Sequence, residues 1–107
     1  MIEQIGDETL KEKVTSGAMI AVYFFDYESI PCDHFRPEVD IVAGNFEDRI
    51  KFYKLEGAEN PAITMHCDVI SVPTLLIFHK GKEIARYEGA YSREALTERI
   101  EAVLRVA

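Results

Sequence analysis

The sequence lacks any long apolar run, internal repeat or low-complexity tract. Since no apolar run approaches the ~20 residues of a membrane-spanning helix, we expect no membrane insertion. The first residues, Met1 to Asp7, contain neither a basic stretch nor an apolar one, so no secretory signal is predicted and the cytoplasm is the expected compartment. The length of 107 residues and the hydrophobic fraction of 48% predict one folded domain over residues 1–107.

Positive charge is also scarce. The chain has 12 Lys and Arg against 19 Asp and Glu, a net charge of −7, and its basic residues form no cluster. Because an acidic surface repels phosphate backbones, we expect no nucleic-acid partner.

Cysteine is limited to Cys32 and Cys67, too few for the disulfide scaffold of a small secreted protein. In a cytosolic protein such thiols are more often catalytic, metal-binding or simply buried. Cys32 with His34, and His66 with Cys67, have the side chains that zinc prefers, but their spacings match no standard zinc pattern. We therefore expect neither a metal nor another cofactor.

The hydrophobic pattern predicts a chain of alternating helices and strands. The predicted helices span residues 7–14, from 29 or 31 to 46, 60–69, and from Ser92 onward, with Asp7 and Ser92 as N-caps. The predicted strands span residues 19–25, 50–55, 74–79 and 83–88, the last two forming a hairpin. An early strand–helix–strand unit implies parallel pairing. The prediction is an α/β fold whose mixed central sheet is flanked by helices on both faces.

Several motifs, in this order, resemble the thioredoxin family. The segment from Glu28 to Cys32 (Glu-Ser-Ile-Pro-Cys) stands where the family has Trp-Cys-Gly-Pro-Cys, and Pro37 follows Cys32 by five residues, as in the family. Val72-Pro73-Thr74 stands where the family has Ile-Pro-Thr with a cis proline. Further matching positions are Lys54, Gly81 and Gly89. The resemblance covers residues 7 to 106 and implies the thioredoxin fold.

The departures from the family concern its chemistry. Ser29 stands at the position of the exposed nucleophilic cysteine, Glu28 at that of the tryptophan, and Tyr23 at that of the buried acid, so Cys32 alone remains of the cysteine pair. Dithiol catalysis needs one thiolate to attack a disulfide and a second thiol to resolve the mixed disulfide. A serine hydroxyl does neither, so residues 29–32 cannot cycle between dithiol and disulfide.

Three interpretations of Ser29 are open. It is a natural, redox-silent N-cap that accepts the Cys32 amide, an engineered replacement for a cysteine, or a natural serine in a site that still does one-thiol chemistry. Cys32 is either a shielded thiol or a monothiol of mild reactivity, because the adjacent Glu28 and Asp33 disfavour a thiolate. Cys67 is expected to be an accessory thiol that forms no disulfide with Cys32.

The resemblance also implies a groove for polypeptides. A cis Pro73 exposes the backbone of Ser71 and Val72, which can pair with an extended peptide. The expected substrate-binding residues are Ile30, Pro31, Val72 and Pro73, with Tyr91 adding to an apolar patch.

The leading hypothesis is a thioredoxin-like protein of the redox-homeostasis class that performs at most monothiol exchange through Cys32 while it binds polypeptides. The alternatives are a non-catalytic interaction module and a Cys-to-Ser variant of an active thioredoxin. The implied partners are a polypeptide or thiol substrate and a thioredoxin-reductase-like protein.

Overall fold

A computed structural model describes residues 2–107. The described chain contains five strands: β1 (Glu3–Gln4), β2 (Ile20–Phe25), β3 (Lys51–Glu56), β4 (Thr74–His79) and β5 (Lys82–Glu88). It also contains four helices: α1 (Asp7–Thr15), α2 (Ile30–Phe46), α3 (Pro61–His66) and α4 (Arg93–Val106). Within residues 2–107, no helix is both long and apolar enough to cross a bilayer.

The strands form one mixed sheet in the order β1-β3-β2-β4-β5. Strand β3 runs parallel to both β1 and β2, whereas β4 runs antiparallel to β2 and β5. The predicted mixed sheet is therefore confirmed. Strand β1 was not predicted from the sequence, because Glu3 and Gln4 are both exposed and show no alternation of apolar and polar residues. Their strand conformation comes from backbone pairing with Tyr53 and Lys54.

Helices cover both faces of the sheet, as predicted. All six residues of β2 are buried, since alternate side chains enter two separate core clusters. The first cluster contains residues from α2 and α4, and the second contains residues from α1 and α3. The side chains of Ala21, Tyr23 and Phe25 enter the first cluster, and those of Ile20, Val22 and Phe24 enter the second.

Most predicted element boundaries agree with the structure to within one residue, and the differences at two helix ends have identifiable causes. The N-cap of α1 is Gly6 rather than Asp7, whose own N–H donates to Asn60 Oδ1 at 3.2 Å. Helix α3 is shorter than the predicted 60–69, because Asp68 has a φ of 56° and ends the helical path. Val69 is buried from outside the helix, which explains why its apolar character extended the predicted helix.

Candidate functional site

The site lies where β2 ends and α2 begins. Ser29 has extended backbone angles, and its Oγ accepts the Cys32 N–H at 3.2 Å, so the hydrogen bond expected of an N-cap at Ser29 is present. Pro31 occupies the first turn, where its missing N–H costs no helical hydrogen bond. The sequence Ser-Ile-Pro-Cys therefore folds as a capped helix start with its cysteine in the first turn.

The Cys32 side chain is completely buried, with a relative exposure of 0%. It belongs to the first core cluster, together with Phe35 and Val39 from the same helix. The helix start thus turns its thiol toward the sheet, while Ile30 and Pro31 face solvent.

Tyr23 is the polar neighbour of Cys32 on the sheet. Its hydroxyl donates to the Cys32 carbonyl at 3.3 Å, and its side chain is 2% exposed. Burial, followed by the proximity of Cys32, raises the pKa of Tyr23 far above that of a free phenol. The group therefore stays protonated at physiological pH and serves as a donor. The resemblance in sequence placed Tyr23 at the position where the family has a buried acid. It did not predict the hydrogen bond from Tyr23 to the Cys32 carbonyl.

A second segment of the site precedes β4. The Val72–Pro73 peptide bond is cis. Pro73 is buried and its carbonyl accepts the Gly89 N–H at 2.9 Å, while the Ser71 carbonyl accepts the Thr74 hydroxyl at 2.8 Å. Within residues 2–107, the backbone N–H and C=O of Val72 form no hydrogen bond. Val72 therefore offers one unpaired donor and one unpaired acceptor.

Only some of the residues predicted to form an apolar surface patch are exposed. Ile30 is 70% exposed, whereas Val72 and Tyr91 are half-buried and pack against the first core cluster. Ile70, which no sequence pattern singled out, is 89% exposed. Two largely exposed apolar side chains therefore lie in these segments, Ile30 before Cys32 and Ile70 before Pro73.

An acidic cleft of about 360 Å³ adjoins the helix start. Its lining includes Ser29, Tyr27 and four carboxylate residues, namely Asp26, Glu28, Glu56 and Glu59. Among the residues that the structure describes, 2–107, no basic side chain lines this cleft. The β2–β3 register pairs Phe25 with Glu56 and so brings the two acidic segments side by side, a juxtaposition that neither segment reveals alone.

Cys67 lies apart from this site. It is half-buried and packs against the second core cluster, whereas Cys32 belongs to the first. Burial is the main cause that raises the pKa of the Cys67 thiol. Both cysteines are free in the structure. Within residues 2–107, no group of three or more His, Cys, Asp or Glu side chains is arranged to hold a metal ion.

The sheet order, the capped cysteine-bearing helix and the proline segment beside it define a thioredoxin-fold protein. The thioredoxin of Trypanosoma brucei brucei has the same fold, with a TM-score of 0.89 and 20% identity over 98% of this chain and 92% of that one. Chloroplastic thioredoxin z is similarly related, with a TM-score of 0.85 and 25% identity over 97% and 95% of the two chains.

Sequence comparisons identify the family, within this fold class, to which the chain belongs. The thioredoxin family model matches residues 1–102. Thioredoxin 1 of Nostoc sp. is 32% identical over 99 residues, which cover 92% of each protein. The chain belongs to the thioredoxin family.

Proposed function

We propose that this chain is a single-domain polypeptide-binding protein of the thioredoxin family that does not turn over disulfides at residues 29–32. The observation that carries the proposal is the contrast between Cys32 and Val72. The thiol is fully buried, whereas the backbone N–H and C=O of Val72 are unpaired within residues 2–107. The site therefore offers groups for binding but no exposed thiol for exchange.

The chemistry of Ser29 supports the absence of turnover. A nucleophile for disulfide exchange must form a thiolate and then a sulfur–sulfur bond. The Ser29 hydroxyl forms no such bond, and its oxygen is already engaged with the Cys32 N–H. Monothiol exchange through Cys32, the leading hypothesis from sequence, requires the helix start to open first. Zero exposure of Cys32 thus favours the interaction module.

The binding mode that fits Val72 is strand addition. An extended peptide that lies beside residues 71–73 pairs its own C=O and N–H with the two free groups of Val72. Ile30 and Ile70, which are exposed in the two segments of the site, supply apolar side chains for contact with such a peptide. Chloroplastic thioredoxin z, which this chain resembles, is described as having a type-specific target recognition. That description supports target choice as a property that varies among proteins of this fold.

A titration followed by NMR tests the proposal. The probe is carboxymethylated insulin B chain, which is unfolded and contains no free thiol or disulfide. We expect the Val72 amide to shift and to gain protection from hydrogen exchange, because it acquires an acceptor. The Gly89 amide is the internal control, since it already donates to the Pro73 carbonyl. Equal shifts at both amides, or none at Val72, would count against strand addition.

A further inference from the structure

Cys32 is held by hydrogen bonds on both sides of its backbone. Its N–H is accepted by Ser29 Oγ at 3.2 Å, and its C=O accepts the Tyr23 hydroxyl at 3.3 Å. Ser29 belongs to the same helix start, so its bond fixes only local geometry. Tyr23 lies in the central part of β2, so its bond ties the first turn of α2 to the sheet.

The first turn of α2 needs such an attachment because the helix is weakened just after it. Pro37 lies inside α2 and has no N–H, so the Asp33 carbonyl lacks its usual helical donor. The segment that carries Cys32 is therefore joined to the rest of the helix by fewer backbone bonds than an uninterrupted helix provides.

The Tyr23 ring is itself fixed in place. Its centroid lies 5.6 Å from those of Phe25 and Phe35, with the Phe35 ring edge-on. Because the ring is packed between a strand neighbour and a helix residue, its hydroxyl cannot swing away from Cys32 without repacking the core. A hydroxyl donor is thus presented to the Cys32 carbonyl in one orientation.

We propose that Tyr23 is a positioning residue that locks the first turn of α2 onto the sheet and thereby keeps the Cys32 thiol inaccessible. This inference rests on the proposed function, because it explains what maintains the thiol-silent state of the site. Reaction of Cys32 with any thiol or alkylating reagent requires local opening of the helix start. The Tyr23 hydroxyl lowers the population of that open form.

The test measures alkylation of Cys32 by iodoacetamide under native conditions, in a Cys67→Ser background so that one thiol remains. Tyr23→Phe removes the hydroxyl and keeps the ring. The matched control is Tyr87→Phe, because the Tyr87 hydroxyl also donates to a backbone carbonyl, that of Arg99, at 3.3 Å. We expect Tyr23→Phe to accelerate alkylation by about two- to tenfold, the range of one net hydrogen bond. We expect little change from Tyr87→Phe.

The urea dependence of the alkylation rate distinguishes local opening of the helix start from a general loss of stability. Each rate is measured at several urea concentrations below the unfolding transition, and the contribution of globally unfolded protein is subtracted using each variant's unfolding free energy. Local opening predicts a remaining rate that depends little on urea, because opening one turn exposes little surface. A Tyr23→Phe rate equal to that of the control, or one that follows global unfolding, would overturn the inference.

The two proposals fail in different ways. Rapid alkylation of Cys32 in the otherwise unchanged Cys67→Ser chain would contradict a thiol-silent site and, with it, the lock. Loss of peptide binding in the Val72 titration would contradict the binding function and leave the alkylation ratio between Tyr23→Phe and Tyr87→Phe unaffected.

Discussion

Replacing Ser29 by alanine tests how the helix start is held. The substitution removes the side-chain oxygen that accepts the Cys32 N–H at the start of α2. Cys32 is 0% exposed, so water reaches its N–H poorly and the donor is left largely unpaired. We expect a loss of about 1.5 kcal/mol in the free energy of unfolding, in the upper part of the range for N-cap substitutions.

Ser92→Ala is the matched control. Ser92 Oγ accepts the Ala95 N–H at 3.1 Å at the start of α4, a cap of the same kind in an exposed position. Because water can replace that acceptor, we expect the control to lose only about 0.5–1 kcal/mol. Urea unfolding followed by circular dichroism gives both values. A Ser29→Ala loss no larger than that of Ser92→Ala would refute the argument that burial makes the Ser29 cap the more important one.

Four further predictions concern the core, the surface and the second cysteine. Leu96→Ala empties a fully buried position and should cost about 2–5 kcal/mol in urea unfolding. Hydrogen bonds from Arg93 lower the pKa of Glu38. This pair therefore stabilises the fold at pH values above the usual carboxyl pKa, and the stabilisation is lost as the pH falls through the lowered pKa of Glu38. The difference in unfolding free energy between the chain and Glu38→Gln should accordingly vanish in acid. Glu59→Lys should strengthen binding of acidic peptides, and added salt should reduce that gain, as isothermal titration would show. Because burial raises the Cys67 pKa, Ellman's reagent should react with Cys67 more slowly at pH 8 than with free cysteine.

The parts of the fold that sequence predicted well are those with strong local signals. Strand β2 is an almost wholly apolar segment, and such a segment forms a strand covered on both faces. The N-cap was one of three interpretations of Ser29, since a serine hydroxyl can accept the Cys32 N–H at a helix start, and the structure contains that bond. Strand β1 has no such signal, because its two residues are held by backbone pairing alone.

The parts of the site that sequence missed depend on contacts between distant segments. Glu56 joins Asp26 in one cleft through the register of β2 and β3, which no local pattern encodes. The bond from Tyr23 to Cys32 depends on how α2 lies on the sheet. The unpaired backbone of Val72 was expected from the family resemblance, but the exposure of Ile70 became visible only in three dimensions.

Insulin disulfide reduction by dithiothreitol, measured for the chain with Ser29 and for its Ser29→Cys variant, tests whether this site turns over disulfides. We expect that the chain with Ser29 does not exceed the dithiothreitol background, since its one thiol near the site is buried and lacks a partner. We expect faster reduction by Ser29→Cys, because that change restores a nucleophilic thiol at the helix start. Reduction above background by the chain with Ser29 would contradict the central claim that this site binds polypeptides without turning over disulfides.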